Sequence, residues 1–218
     1  MASKAVSFTT RLLTWSRKHF RDYPWRRTSS SYKICVAEIM LQQTYAEKVV
    51  PVYEAFIERY PSISALSRAR VEALRRFIYP LGLLYRAERL RNMARTVMAE
   101  YGGTMPNSQV GLLSLPGVGR YIASAVMCFA YGKECSIIDV NVIRVLSRYF
   151  ALEGTGYSAL SSQVAKLAAE ILPYGRARQF NYALLDFAHL VCSFHNPRCA
   201  KCTLRNNCTS RNKNSQSS

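Results

Sequence analysis

Two carboxylates and four thiols carry most of the chemistry this sequence could do. Asp139 ends the stretch LPGVGRYIASAVMCFAYGKECSIID (115–139) and opens an apolar-periodic segment. A helix N-terminus favours a carboxylate in its ionised form, and a fixed anion can stabilise positive charge developing on a reacting centre. Glu38 is flanked at helical spacing by Ile34, Cys35, Leu41 and Gln42. Three of those four are apolar, so the acid is expected to be buried, and burial keeps a carboxyl group protonated, as a general acid must be. One anion and one neutral acid suit the breaking of a bond that leaves a cation on one side and an anion on the other. Two plainer readings stand beside these: Asp139 as an ordinary N-cap and Glu38 as a buried acid paired with an arginine.

Four of the seven cysteines, Cys192, Cys199, Cys202 and Cys208, lie within 17 residues as C-x6-C-x2-C-x5-C. Short loops let such thiolates converge on one metal centre. Four-cysteine zinc is the competing assignment, but only one pair has the close C-x2-C spacing, and the uneven 6-2-5 pattern favours an iron–sulfur cube. His195, Arg198, Lys201 and Arg205 sit in and beside these loops, which suits contact with phosphate. Cys35, Cys128 and Cys135 lie in apolar surroundings and read as core residues. No secretory signal is visible, so a disulfide framework is not expected.

The elements that must hold these groups are helical. Pro116 cannot sit inside a helix, and Gly117 and Gly119 allow backbone angles and close approaches that a side chain would block. Residues 120–131 then run almost wholly apolar, at a length that favours a buried helix. A short helix ending near Leu115 would complete a helix–hairpin–helix. Its turn, Gly117-Val118-Gly119-Arg120, would point free N–H groups at a phosphate oxygen. Taken alone, the hairpin could equally be a tight turn between core helices.

Further helices are expected over 7–20, 32–44, 46–59 (with Pro51 near a bend), 62–66, 71–77, 84–101, 139–150, 158–172 and 176–191. Turns are expected at 80–82 and 102–103. The helix over 84–101 would carry Arg86, Arg89, Arg91 and Arg95 on its polar side. The Ser- and Arg-containing N-terminus could pass for a transit peptide, but Phe8, Leu12 and Trp15 fit a helical face that belongs to the fold. The tail from Ser210 is polar and expected to fray. There is no repeat, no internal linker and no convincing strand, so the fold class is all-α.

The 218 residues hold 30 Lys and Arg against 13 Asp and Glu, a net charge of +17. Such an excess points to a polyanion, and no apolar run is long enough to span a bilayer. The expected partner is nucleic acid rather than a membrane.

These motifs resemble the endonuclease III superfamily of helix–hairpin–helix DNA glycosylases, over nearly the whole chain from Phe8 to Cys208. The resemblance implies two helical domains flanking a DNA groove. One is a six-helix barrel over 23–131 that contains the hairpin; the other is a [4Fe–4S] cluster domain built from 1–22 and 132–218. It implies flipping of a base and cleavage of its N-glycosidic bond, with Asp139, Glu38 and Tyr121 at the chemistry. Tyr121 stands where strand-nicking members carry a lysine, where adenine glycosylases usually carry a small residue, and where thymine mismatch glycosylases carry tyrosine.

YKICVAEIMLQQT (32–44) looks like the adenine-specific enzymes, whereas the hairpin onward looks like the thymine mismatch enzymes. Leu83 stands where adenine glycosylases usually carry an aromatic wedge, and the chain ends soon after the cysteines. Gln43 and Leu83 are the expected DNA wedges, filling the hole that a flipped nucleotide leaves. The expected activity is hydrolytic removal of thymine or uracil opposite guanine, without strand nicking. An adenine glycosylase, or a helix–hairpin–helix protein that binds DNA without cleaving bases, is the alternative. The expected partner is double-stranded DNA with a mispaired or deaminated base, the expected state a monomer, and the expected compartment a prokaryotic cytoplasm, at the nucleoid.

Overall fold

A computed structural model describes residues 2–210. The expected frayed tail lies, from residue 211 on, outside the described residues. Eleven α-helices and no strand occur among those described. The chain divides into two compact units, one of residues 22–133 and the other of 1–21 with 134–218.

The second unit begins with α1 (Ala2–His19). It starts five residues earlier than the apolar spacing suggests, and it buries Phe8 and Leu12 completely. The first unit holds α2 (Ser31–Leu41), α3 (Ala46–Arg59), α4 (Ile63–Ser67), α5 (Val71–Ile78), α6 (Tyr85–Glu100), α7 (Gln109–Leu113) and α8 (Arg120–Phe129). The second unit continues with α9 (Val140–Phe150), α10 (Tyr157–Glu170) and α11 (Ala177–Leu190), followed by short 3-10 turns at Cys199–Lys201 and Arg205–Asn207.

The first unit is built round α2. Ser30 caps it, accepting from the Lys33 N–H at 3.3 Å. Eight of its eleven residues are buried, because α3, α6 and α8 all pack against it. A helix apolar on every side must be enclosed on every side. α3 runs through Pro51 without ending. Arg75 of α5 pairs with Glu88 of α6, but both side chains are about half exposed, so the pair contributes little.

In the second unit α1 and α9 pack on α11, and α10 packs on α9. Phe8, Leu12, Leu146, Phe180 and Phe187 form the centre of the core, which also takes in Leu204 from between the last two cysteines. Burying each such side chain contributes roughly 1.5–3 kcal/mol.

Two sequence expectations are corrected. α2 stops at Leu41, not Thr44, because the chain turns there: Gln42 has φ −55° and ψ 115°, Gln43 has φ +54°, and the Thr44 N–H returns to the Leu41 carbonyl at 3.2 Å. That is the pattern of a type II turn, which favours glycine at the residue Gln43 occupies. Arg86 is not on the polar side of α6. It is completely buried, because its guanidinium has carbonyls to bond there, whereas Arg89 and Arg95 are exposed.

Candidate active site

Glu38 lies in the middle of α2 and is 4% exposed, as its apolar neighbours require. One turn earlier, Cys35 is fully buried, and burial pushes its thiol up to about 12. Tyr121 sits in the first turn of α8, half-buried, on the helix that packs against α2.

The hairpin is α7, a turn, and α8. The Val118 N–H bonds the Leu115 carbonyl at 3.1 Å, closing the turn. Gly117 has φ +83°, and a Cβ there would meet the Arg89 Cβ at 2.9 Å, so both backbone and space demand glycine. Gly119 differs. Its backbone is extended and a Cβ would meet nothing. Gly119, at the N-cap, has no side chain with which to cap α8. Arg120 is exposed there, whereas the Val118 side chain is buried in the unit and only its backbone is available for a ligand.

The two wedge candidates share an unusual backbone. Gln43 (φ +54°) and Leu83 (φ +48°) are two of the three non-glycine residues with positive φ among those described. The third, Ala151, simply ends α9. Each such residue costs on the order of 1–3 kcal/mol, and such strain gathers at functional sites. Gln43 is exposed and Leu83 partly so, which removes Leu83 from the core.

In the other unit, Asp139 caps α9. Its Oδ1 accepts from the N–H groups of Asn141 and Val142 at 2.9 and 2.8 Å. The second oxygen is not left bare: the Asn141 amide donates to Oδ2 at 2.6 Å. Asn141 in turn accepts from Arg144 at 3.0 Å, and Arg144 donates to the carbonyls of Cys192 at 2.8 Å and Ala188 at 3.0 Å. The segment leading to Asp139 is clamped from below. Buried Asn181 accepts from the Ile137 N–H at 3.0 Å and donates to the Cys135 carbonyl at 2.9 Å.

Further along α9, Arg148 donates to the Cys192 sulfur at 3.6 Å and to the carbonyls of Ser193 and Phe194 at 2.7 and 3.0 Å. The Cys208 thiol lies 3.6 Å from the Arg148 carbonyl. The Cys202 N–H returns to the Cys199 carbonyl at 3.3 Å, and Cys192, Cys202 and Cys208 all pack against the core of this unit. Among the described residues, no three His, Cys, Asp or Glu side chains form a site for a single ion. His195, Arg198, Lys201 and Arg205 are all exposed around these loops.

Residues 36–173 match the model of the HhH-GPD superfamily of base excision DNA repair proteins. The chain belongs to that superfamily. It is 36% identical over 210 residues to a thymine/uracil-DNA glycosylase of Methanothermobacter thermautotrophicus, covering 94% of each chain. It is 38% identical over 203 residues to a thymine-DNA glycosylase of Aeropyrum pernix, covering 91% of each. An adenine DNA glycosylase of Mycolicibacterium smegmatis is 39% identical over 195 residues, 88% of this chain and 66% of that one. The solved structure of a thermostable thymine-DNA glycosylase superposes with a TM-score of 0.92 at 35% identity, over 97% of this chain and 98% of that one.

Within this HhH-GPD chain, sequence reasoning missed Arg86, Asn141, Arg144, Arg148 and Asn181. Asn141, Arg144 and Arg148 lie at i, i+3 and i+7, one stripe of α9. Their side chains look like an ordinary solvated face until the cysteine loop is seen folded over them.

Proposed function

We propose that the chain is a monofunctional DNA glycosylase that removes thymine or uracil mispaired with guanine. The observation that carries this is Asp139, a carboxylate fixed by three hydrogen bonds at a helix N-terminus, in a chain with tyrosine rather than lysine at position 121. Breaking the C1′–N bond sends the bonding pair to the base and leaves positive charge on the sugar. Asp139 stabilises that charge and orients the water that adds at C1′. Glu38, buried on α2, supplies or relays the proton that the departing base takes up. Tyr121 walls the base pocket and offers no amine for a Schiff base, so the strand is left intact. Gln43 and Leu83 occupy the space vacated in the base stack, and the N–H groups at Gly117–Arg120 hold phosphate.

Cys192, Cys199, Cys202 and Cys208 fit a [4Fe–4S] cluster: four thiols on short loops, three of them packed against one core, with Arg148 against the Cys192 sulfur and the Cys208 thiol at the Arg148 carbonyl. A cluster held there would cross-link the loops that carry Arg198, Lys201 and Arg205. An adenine-specific reading has the 39% identical relative in its favour, and the same experiment decides it.

Single-turnover assays would compare T/G, U/G, A/G, A/oxidised-G and oxidised-pyrimidine duplexes, with and without alkali and with borohydride. The expected result is alkali-dependent nicking of the T/G and U/G strands and no trapped adduct. Release of adenine alone would establish the second reading. Nicking without alkali, with a trapped adduct, would overturn the monofunctional one. Tight binding without base release from any duplex would overturn both.

A further inference from the structure

We infer that Arg86 is a positioning residue whose side chain holds the strained turn at Gln43, beside the Leu83 turn, in the conformation that enters the base stack. The inference rests on the glycosylase reading above, in which those two residues are wedges.

Arg86 is fully buried near the start of α6. A guanidinium removed from water needs acceptors, and the end of α2 with the turn after it supplies three: the Met40 carbonyl at 2.7 Å, the Gln42 carbonyl, and the Thr44 hydroxyl at 2.8 Å. The Met40 bond alone would serve as a cap for the last turn of α2, whose carbonyls lack partners within the helix. Arg86 does more. Its Nη2 bonds residues on both sides of Gln43, so the turn is gripped at each end with Gln43 exposed between them.

The same residue is tied to the other turn. The Arg86 N–H donates to the Leu83 carbonyl at 3.0 Å. Thus Gln43 and Leu83, separated by 40 residues in sequence, are referred to one side chain and its own backbone. One turn further along α6, Arg89 lies within 3.4 Å of the Gln42 side-chain oxygen and packs beneath Gly117. This face of α6 therefore gathers the Gln43 turn, the Leu83 turn and the hairpin. A left-handed glutamine would relax if the side-chain grip were lost, whereas the backbone bond that closes the Leu83 turn does not depend on the side chain at position 86. Lysine cannot replace it, because a single ammonium cannot span three acceptors in the plane that a guanidinium forks across.

The test uses the full chain and compares uracil in a U/G pair with uracil in an unpaired bubble, where no flipping from a stack is required. A 2-aminopurine beside the target reports unstacking, and melting is followed for every variant. Arg86→Lys and Thr44→Val should each lose about tenfold in release from the U/G pair, lose the fluorescence rise, and recover most of the rate on the bubble. An equal loss on both substrates would mean a merely structural role and would overturn the inference; so would no loss on either. Gln43→Ala and Leu83→Ala separate the two levels. If these release uracil from the pair at the wild-type rate, the wedge reading fails and takes this inference with it. If they lose rate while Arg86→Lys and Thr44→Val do not, the inference about Arg86 fails alone. Should Arg86→Lys not fold, Thr44→Val, at a half-buried position, carries the test.

Discussion

Asp139 is a bound carboxylate rather than a loose one, and that shapes what its replacement should do. Asp139→Asn keeps shape and removes charge. Duplex binding should persist while single-turnover base release falls on the order of 10²-fold or more. A near wild-type rate would refute the role. Asn141 is the more revealing position, because it touches Oδ2 and also receives Arg144. A hydrogen bond to a charged group contributes about 1.5–3 kcal/mol. Asn141→Ala should therefore slow release by about tenfold or more, with melting lowered by only several degrees. A wild-type rate would mean that Oδ2 needs no such orientation. The place of Asp139 as the cap of α9 was legible in the sequence, because it follows an apolar helix and opens an apolar-periodic segment. Asn141 and Arg144 were not, since an asparagine in a first helical turn and an arginine one turn on have many innocent explanations. Only the return of the Cys192 and Ala188 carbonyls to Arg144 gives them a meaning.

At the scale of elements, the hairpin contains two glycines that do different things. Gly117→Ala places a methyl group 2.9 Å from Arg89 Cβ on a backbone with φ +83°. That should cost about 1–3 kcal/mol and lower melting by roughly 2–10 °C in a chain of this size. Gly119→Ala meets nothing and needs no unusual angle, so melting should not move. Its methyl group would instead intrude where a phosphate approaches α8, and affinity for duplex should fall. Unchanged affinity would remove the hairpin from the DNA interface. Sequence spacing could not separate these glycines, because the difference lies in what packs behind the turn. The helices themselves were largely readable from apolar periodicity. The end of α2 was not: LQQT continues a plausible helix, and the turn there uses glutamine where glycine would have announced it. Charge likewise hid the burial of Arg86, since an arginine on an amphipathic helix is expected to face water unless carbonyls wait for it inside.

Over the whole molecule the excess of positive charge is not the property of one unit. Residues 22–133 carry fifteen Lys and Arg against eight Asp and Glu, and the remainder carries fifteen against five. Both units therefore attract a polyanion, and phosphate contacts should come from each. Every neutralised phosphate releases condensed counterions, so affinity falls as a power of salt concentration with an exponent near 0.9 per contact. A footprint of about six phosphates predicts an exponent near 5 and a loss of about 10³-fold between 50 and 200 mM salt on undamaged duplex. Neutralising the exposed residues of the cysteine loops should then reduce the exponent without touching the chemistry. Arg198→Gln with Lys201→Gln removes two charges that touch neither Asp139 nor Glu38, and should lower the exponent by about 2. Release from a saturated U/G complex should stay at the wild-type rate, because the reacting groups are unaltered. An unchanged exponent would show that the cysteine loops do not face the backbone. An unchanged exponent together with a slowed reaction would assign these loops to the chemistry and not to binding.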